Sequence, residues 1–138
     1  MQPILTITVP TTANLGAVSA GSTHSSQLGT VTVTGSDITD WYVTVTATAL
    51  STTGGTISTS DIAYWSGPAT AHTGSGKCYP GQGTANQQQV TLNTPRLAFA
   101  STGSCGNESC SWNPTLVITV PANAVAGPYT GTITHSAA

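Results

Sequence analysis

The chain has 138 residues and a formal net charge of -2, and only 4% of its side chains are charged. Its cationic side chains, Lys77 and Arg96, cannot supply the several phosphate contacts on which nucleic-acid binding rests, nor the basic patch that an anionic membrane surface demands. Neither partner is expected, and solubility falls to Thr, Ser, Gln and Asn.

A chain of this length is expected to form a single domain, residues 1–138, able to bury a core of its own. It contains no run of about 18 apolar residues, so no membrane insertion is expected. The opening MQPILTITVP has no basic region ahead of an apolar one, so it is not a signal peptide. Low charge, abundant Thr and Ser, and the cysteine pair in CGNESC suggest a secreted or surface-displayed chain from which a leader has been removed.

The first alternating run is ILTITV at 4–9, closed by Pro10, which has no N–H to give to a ladder. GTVTVT at 29–34 is the second. In WYVTVTATAL, 41–50, Trp41, Val43, Val45, Ala47 and Ala49 share one face and Tyr42, Thr44, Thr46 and Thr48 the other. That is the period of a half-buried strand, and its β-branched residues fit a pleated surface better than a helix. Asp37 and Asp40, just before it, are expected to make an Asx-type turn and not a cation site.

DIAYW at 61–65 sets Tyr64 and Trp65 on opposite faces, so one ring is expected to be buried and the other nearer the surface. The Gly-, Ser-, Pro- and Gln-rich stretch 66–89 is too long for a tight hairpin and is expected to be a loop, the place where exposed function would sit. Its GSGKC (74–78) lacks the glycine and the Ser or Thr of a phosphate loop. Strands are expected again at 88–92 and 96–100, a second loop at 101–114, and strands at 115–120 and 129–135. No segment reads as an amphipathic helix. The fold class is therefore all-β, an antiparallel β-sandwich of about seven to nine strands.

Chemistry-bearing residues are few. Cys78, Cys105 and Cys110 allow three single pairings. Closing Cys105 to Cys110 contributes about 2 kcal/mol and Cys78 to Cys110 about 4 kcal/mol, but proximity favours Cys105–Cys110, which is the expected disulfide and leaves Cys78 over. His24, His72 and His135 are scattered, with no ligand spacing, so no metal and no cofactor are expected. The carboxylates form no glycosidase pair, no G-x-S-x-G elbow occurs, and the Asn107-Glu108-Ser109 sequon reads as a loop accident. The chain is expected not to be an enzyme. Trp41, Trp112 and Tyr129 are expected to be structural rings, while Trp65, Tyr64 and Tyr79 are the candidates for ligand stacking.

Two phrases, VTVTGSDITDW and WNPTLVITVPANAVAGPYTGTITHSAA (112–138), together resemble the WxL-domain group of bacterial surface proteins, in particular its divergent actinobacterial members. Trp41-Tyr42-Val43 stands where the first Trp-x-Leu would be, and Ile133-Thr134-His135 occupies the region of the second, without its Trp. The resemblance implies an extracellular β-sandwich that attaches noncovalently to cell-wall glycan or assembles with other surface proteins. The alternative is a structural subunit of a fibre or surface layer that self-associates through strand edges.

Overall fold

The computed structural model describes residues 4–10, 12, 19–36, 40–74, 76–82, 89–103 and 107–138. Three long strands bend through its first layer. β2 (Thr23–Gln27) runs on into β3 (Val31–Ser36), β7 (Ile62–Trp65) into β8 (Ala69–Thr73), and β12 (Asn107–Trp112) into β13 (Thr115–Thr119). On one side of the bends β12 pairs antiparallel with both β3 and β8, and on the other β13 pairs with both β2 and β7. β1 (Ile4–Thr8) extends this layer beside β3, and β10 (Val90–Thr91) extends it beside β7.

Prolines and a glycine explain the bends. Pro68 and Pro114 have no N–H and interrupt two ladders, while Gly29 takes φ +106, a left-handed conformation that a side chain would strain. The strands are tied together across the break: Leu28 N–H donates to Pro114 O at 2.9 Å and Gly29 N–H to Asn113 Oδ1 at 3.1 Å.

The second layer is a four-stranded antiparallel sheet in the order β14 (Ile133–Ala137), β4 (Trp41–Ala47), β11 (Arg96–Thr102), β9 (Lys77–Pro80). A short hairpin, β5 (Leu50–Thr52) and β6 (Gly55–Ile57), forms a two-stranded sheet of its own that places Ile57 in the core, and a single 3-10 turn, Thr59–Asp61, precedes β7 among the described residues. The edges meet at two seams, β1 against β14 and β8 against β9. The protein is thus an all-β, antiparallel sandwich-like fold.

Burial follows the alternation of the sequence. Val31 and Val33 of β3, Trp41, Val43 and Val45 of β4, and Cys110 and Trp112 of β12 fill the space between the layers. A bulge between Leu97 and Phe99 turns Ala98 and Phe99 inward together, and Phe99 stacks on Trp112 with ring centroids 4.5 Å apart. Trp41 lies over Gly35 of the opposite sheet, its indole N–H without a hydrogen-bond partner among the described residues. Tyr129 packs half-buried at the core's margin and donates its hydroxyl to Val125 O at 2.6 Å.

Two expectations need correction here. Fourteen strands, not seven to nine, are found among the described residues. The bent strands count twice, and the stretches 66–89 and 101–114, expected as loops, hold β8, β9 and β12. All five residues of β8 are exposed, so no hydrophobic period marks it and backbone pairing to β12 holds it in place. The second correction is the disulfide. Cys110 is bonded to Cys78, not to Cys105, across a Cα–Cα distance of 6.3 Å. Cys110 points into the interior from β12, and Cys78 meets it from β9 of the facing sheet, so the bond staples one layer to the other. Cys105 lies outside the described residues.

Candidate functional site

Register places three outward side chains of the second layer in one row. Tyr42 of β4 and Tyr79 of β9 both pair with Ala100 of β11, between them. Cross-strand partners share a face, so the two phenols flank a methyl group, two strand spacings or about 10 Å apart. Tyr42 is 52% exposed and Tyr79 45%, and Leu97, one outward row further along β11, is 42% exposed. Thr44, Thr46, Thr134 and Ser136 bring hydroxyls to the same face. The result is an outward row with two exposed phenol rings, a small residue between them and hydrogen-bonding groups beside them.

Of the candidate stacking rings, Tyr79 alone belongs to this row. Tyr64 is fully buried and cannot stack on a ligand, because the inward face of β7 carries it into the core. Trp65 is partly buried on the opposite outer surface, where it lines a shallow depression of about 210 Å³ with Ser25, Gln89, Thr115 and Val117. The pair therefore divides between the faces as the alternation of 61–65 implies. Tyr42 was assigned no role by sequence reasoning, although it stands outward in the alternation that buries Trp41.

The interior holds a chain of polar groups. Trp112 Nε1–H donates to Tyr64 Oη at 3.0 Å, and Tyr64 Oη lies 2.8 Å from His135 Nε2. The indole can only donate, which leaves the phenol O–H to donate its hydrogen bond to His135 Nε2, and the neutral ring then carries its hydrogen on Nδ1. Burial pushes the Tyr64 hydroxyl well above the usual phenol range, the Trp112 hydrogen bond opposing it in part, and lowers His135 to about 4. Trp41 and Val43 on β4, and Ile133 and His135 on β14, all face this interior. The first and third residues of each triplet that carries the WxL resemblance thus face the core, while Tyr42 and Thr134 face outward.

A second polar group sits at the seam between β8 and β9. Glu108 is only 2% exposed; one carboxylate oxygen accepts from Ser101 Oγ, and the other is 3.1 Å from His72 Nε2. Cys78 and Cys110 lie against it. Gly74 makes the turn possible: its φ is +106, and a Cβ there would come within 2.6 Å of Asn107 O. Serine, glutamate and histidine are together, but the carboxylate lies between the other two. The imidazole does not hold the serine hydroxyl, as nucleophilic catalysis requires, and Ser101 is itself buried. His72 and Glu108 looked unrelated in sequence because they lie 36 residues apart.

No protein-family model matches the chain, and no curated protein matches it.

Proposed function

We propose that this protein is a noncatalytic module of the bacterial cell envelope, of WxL-like type, working outside the cell and binding cell-wall glycan through the outer face of the sheet β14-β4-β11-β9. The observation that carries the reading is the Tyr42–Ala100–Tyr79 row. Phenols carried on one face two strand spacings, or about 10 Å, apart match the two-sugar repeat of an extended β-(1,4)-linked glycan, so that the two rings can meet the same apolar face of every second sugar. A surface nearly without charge suits a ligand recognised by stacking and hydroxyl contacts. The Glu108 carboxylate standing between Ser101 and His72 supports the noncatalytic part of the reading.

Burying about 50 to 80 Å² of each ring at about 25 cal/mol/Å² contributes roughly 1 to 2 kcal/mol per tyrosine. The test is cosedimentation with purified peptidoglycan. The protein should pellet with it, with little change as salt is raised, since few charges are available to screen. Protein that stays in the supernatant at every wall concentration refutes the reading.

A second reading, a subunit that assembles laterally, rests on β1. That strand ends its hydrogen-bonded ladder at the seam with β14, carries no charged side chain and leaves Ile4 57% exposed, so it lacks the charged residues that commonly guard an edge. Light scattering that finds concentration-dependent oligomers, lost in Ile4→Lys, would favour it over the glycan module.

A further inference from the structure

The seam between β8 and β9 holds more ligand chemistry than a disulfide uses. His72 Nε2 or Nδ1, a Glu108 carboxylate oxygen and the sulfurs of Cys78 and Cys110 all lie within 4.8 Å of one another. We propose that reduction of the Cys78–Cys110 bond converts this cluster into a binding site for one divalent d-block cation, with Zn²⁺ the best fit, which then replaces the disulfide as the link between the two sheets.

The donor set is the reason for choosing zinc. Two thiolates, an imidazole and a carboxylate form a borderline-soft tetrahedral set, and bonds of about 2.0 to 2.3 Å place such donors roughly 3.3 to 3.8 Å apart. The atoms therefore need to move by no more than about 1 to 2 Å. Glu108 and Cys110 project inward from β12, an interior strand, and are fixed by their neighbours. His72 and Cys78 come from the edge strands β8 and β9, which have room to adjust. Ser101 already holds the carboxylate oxygen that does not face His72, the outer-shell contact that orients a ligating carboxylate. The His72 side chain is 32% exposed, so an ion can enter from that side.

The balance is simple. The disulfide takes two electrons from a phosphine; water gives its oxygen to the phosphine oxide and its two protons to the thiols. A dithiol reductant would supply the same electrons and become a disulfide. The cation then displaces both thiol protons, Glu108 binds as the carboxylate, and His72 binds as the neutral ring with its hydrogen on the free nitrogen. Oxidation excludes the metal because the sulfurs are then bonded to each other.

The full chain, reduced with a phosphine and titrated with Co²⁺ as a spectroscopic substitute for Zn²⁺, tests this. One Co²⁺ per chain should bind with a thiolate charge-transfer band and the strong visible bands of a tetrahedral ion, and Zn²⁺ should bleach them. Oxidised protein should give neither band. His72→Ala and Glu108→Gln should each weaken Co²⁺ binding by at least about tenfold, since even outer-shell changes cost that much, while circular dichroism stays that of the folded chain. Cys105→Ser should keep the spectrum. If reduction unfolds the chain, Zn²⁺ should refold it. Absence of the thiolate band, unchanged affinity in His72→Ala, loss of the spectrum in Cys105→Ser, or a reduced chain that Zn²⁺ does not refold would each overturn the proposal.

Discussion

Replacing each of two buried tryptophans by phenylalanine separates packing from hydrogen bonding in this core. Trp41 is 2% exposed and Trp112 fully buried, so Trp→Phe removes a similar ring portion at each. About 50 Å² of lost apolar burial costs roughly 1 kcal/mol at about 25 cal/mol/Å². The N–H groups differ. The Trp112 indole donates to Tyr64 Oη at 3.0 Å, and losing that bond adds about 1 kcal/mol. The Trp41 indole has no partner among the described residues, so removing it relieves a desolvation cost of about 1 to 3 kcal/mol. Trp112→Phe should therefore destabilise by about 2 kcal/mol and Trp41→Phe by nothing, or even stabilise slightly. Trp41→Ala, by contrast, empties the site and should cost about 3 to 5 kcal/mol. Urea unfolding of the oxidised protein, followed by circular dichroism, measures all three. Equal losses in the two phenylalanine variants, or a larger loss at Trp41, would refute this account of the core.

Stability should also depend on pH through His135. Its folded value of about 4 lies below the ordinary 6.5, so between the two the unfolded chain binds more protons. The stabilisation is complete above about 6.5 and disappears as pH falls through about 4, a change of order 3 kcal/mol for a largely buried ring. Urea midpoints at pH 7 and pH 4 should differ less in His135→Phe than in the unaltered chain; identical pH dependence in the two would contradict this. Peptide mapping of oxidised material should recover Cys78 joined to Cys110, and reduction in the presence of a chelator should lower stability by about 4 kcal/mol, the loop-closure value for a separation of 32 residues. Recovery of Cys105 joined to Cys110 would contradict that pairing.

Strands with alternating hydrophobicity were legible in the sequence. In 41–47 Trp41, Val43 and Val45 face the core as the alternation implies, in 115–120 Leu116, Ile118 and Val120 do while Val117 faces outward, and Tyr64 and Trp65 divide between interior and surface as their adjacency requires. Strands without a hydrophobic period were not. THSSQ in β2 and ATAHT in β8 are held by ladder bonds to neighbours distant in sequence, and no local pattern records that. The same holds for the sites. The disulfide was misassigned because spacing along the chain says nothing of which cysteines face each other across two sheets. Tyr42 and Tyr79 lie 37 residues apart and become neighbours only through their common partner Ala100. Tyr42's outward position was readable in the alternation, and that signal was the one available for finding the row.

Titration with soluble β-(1,4)-linked N-acetylglucosamine oligosaccharides, comparing the unaltered protein with Tyr42→Ala, Tyr79→Ala and the double variant, tests the proposed glycan face most directly. Each single variant should bind about tenfold more weakly and the double variant roughly a hundredfold, from about 1.4 kcal/mol per ring. Circular dichroism and urea midpoints should hardly change, because both rings already face solvent. Binding that survives in the double variant, or is lost instead on changing Trp65 on the opposite surface, would contradict the account.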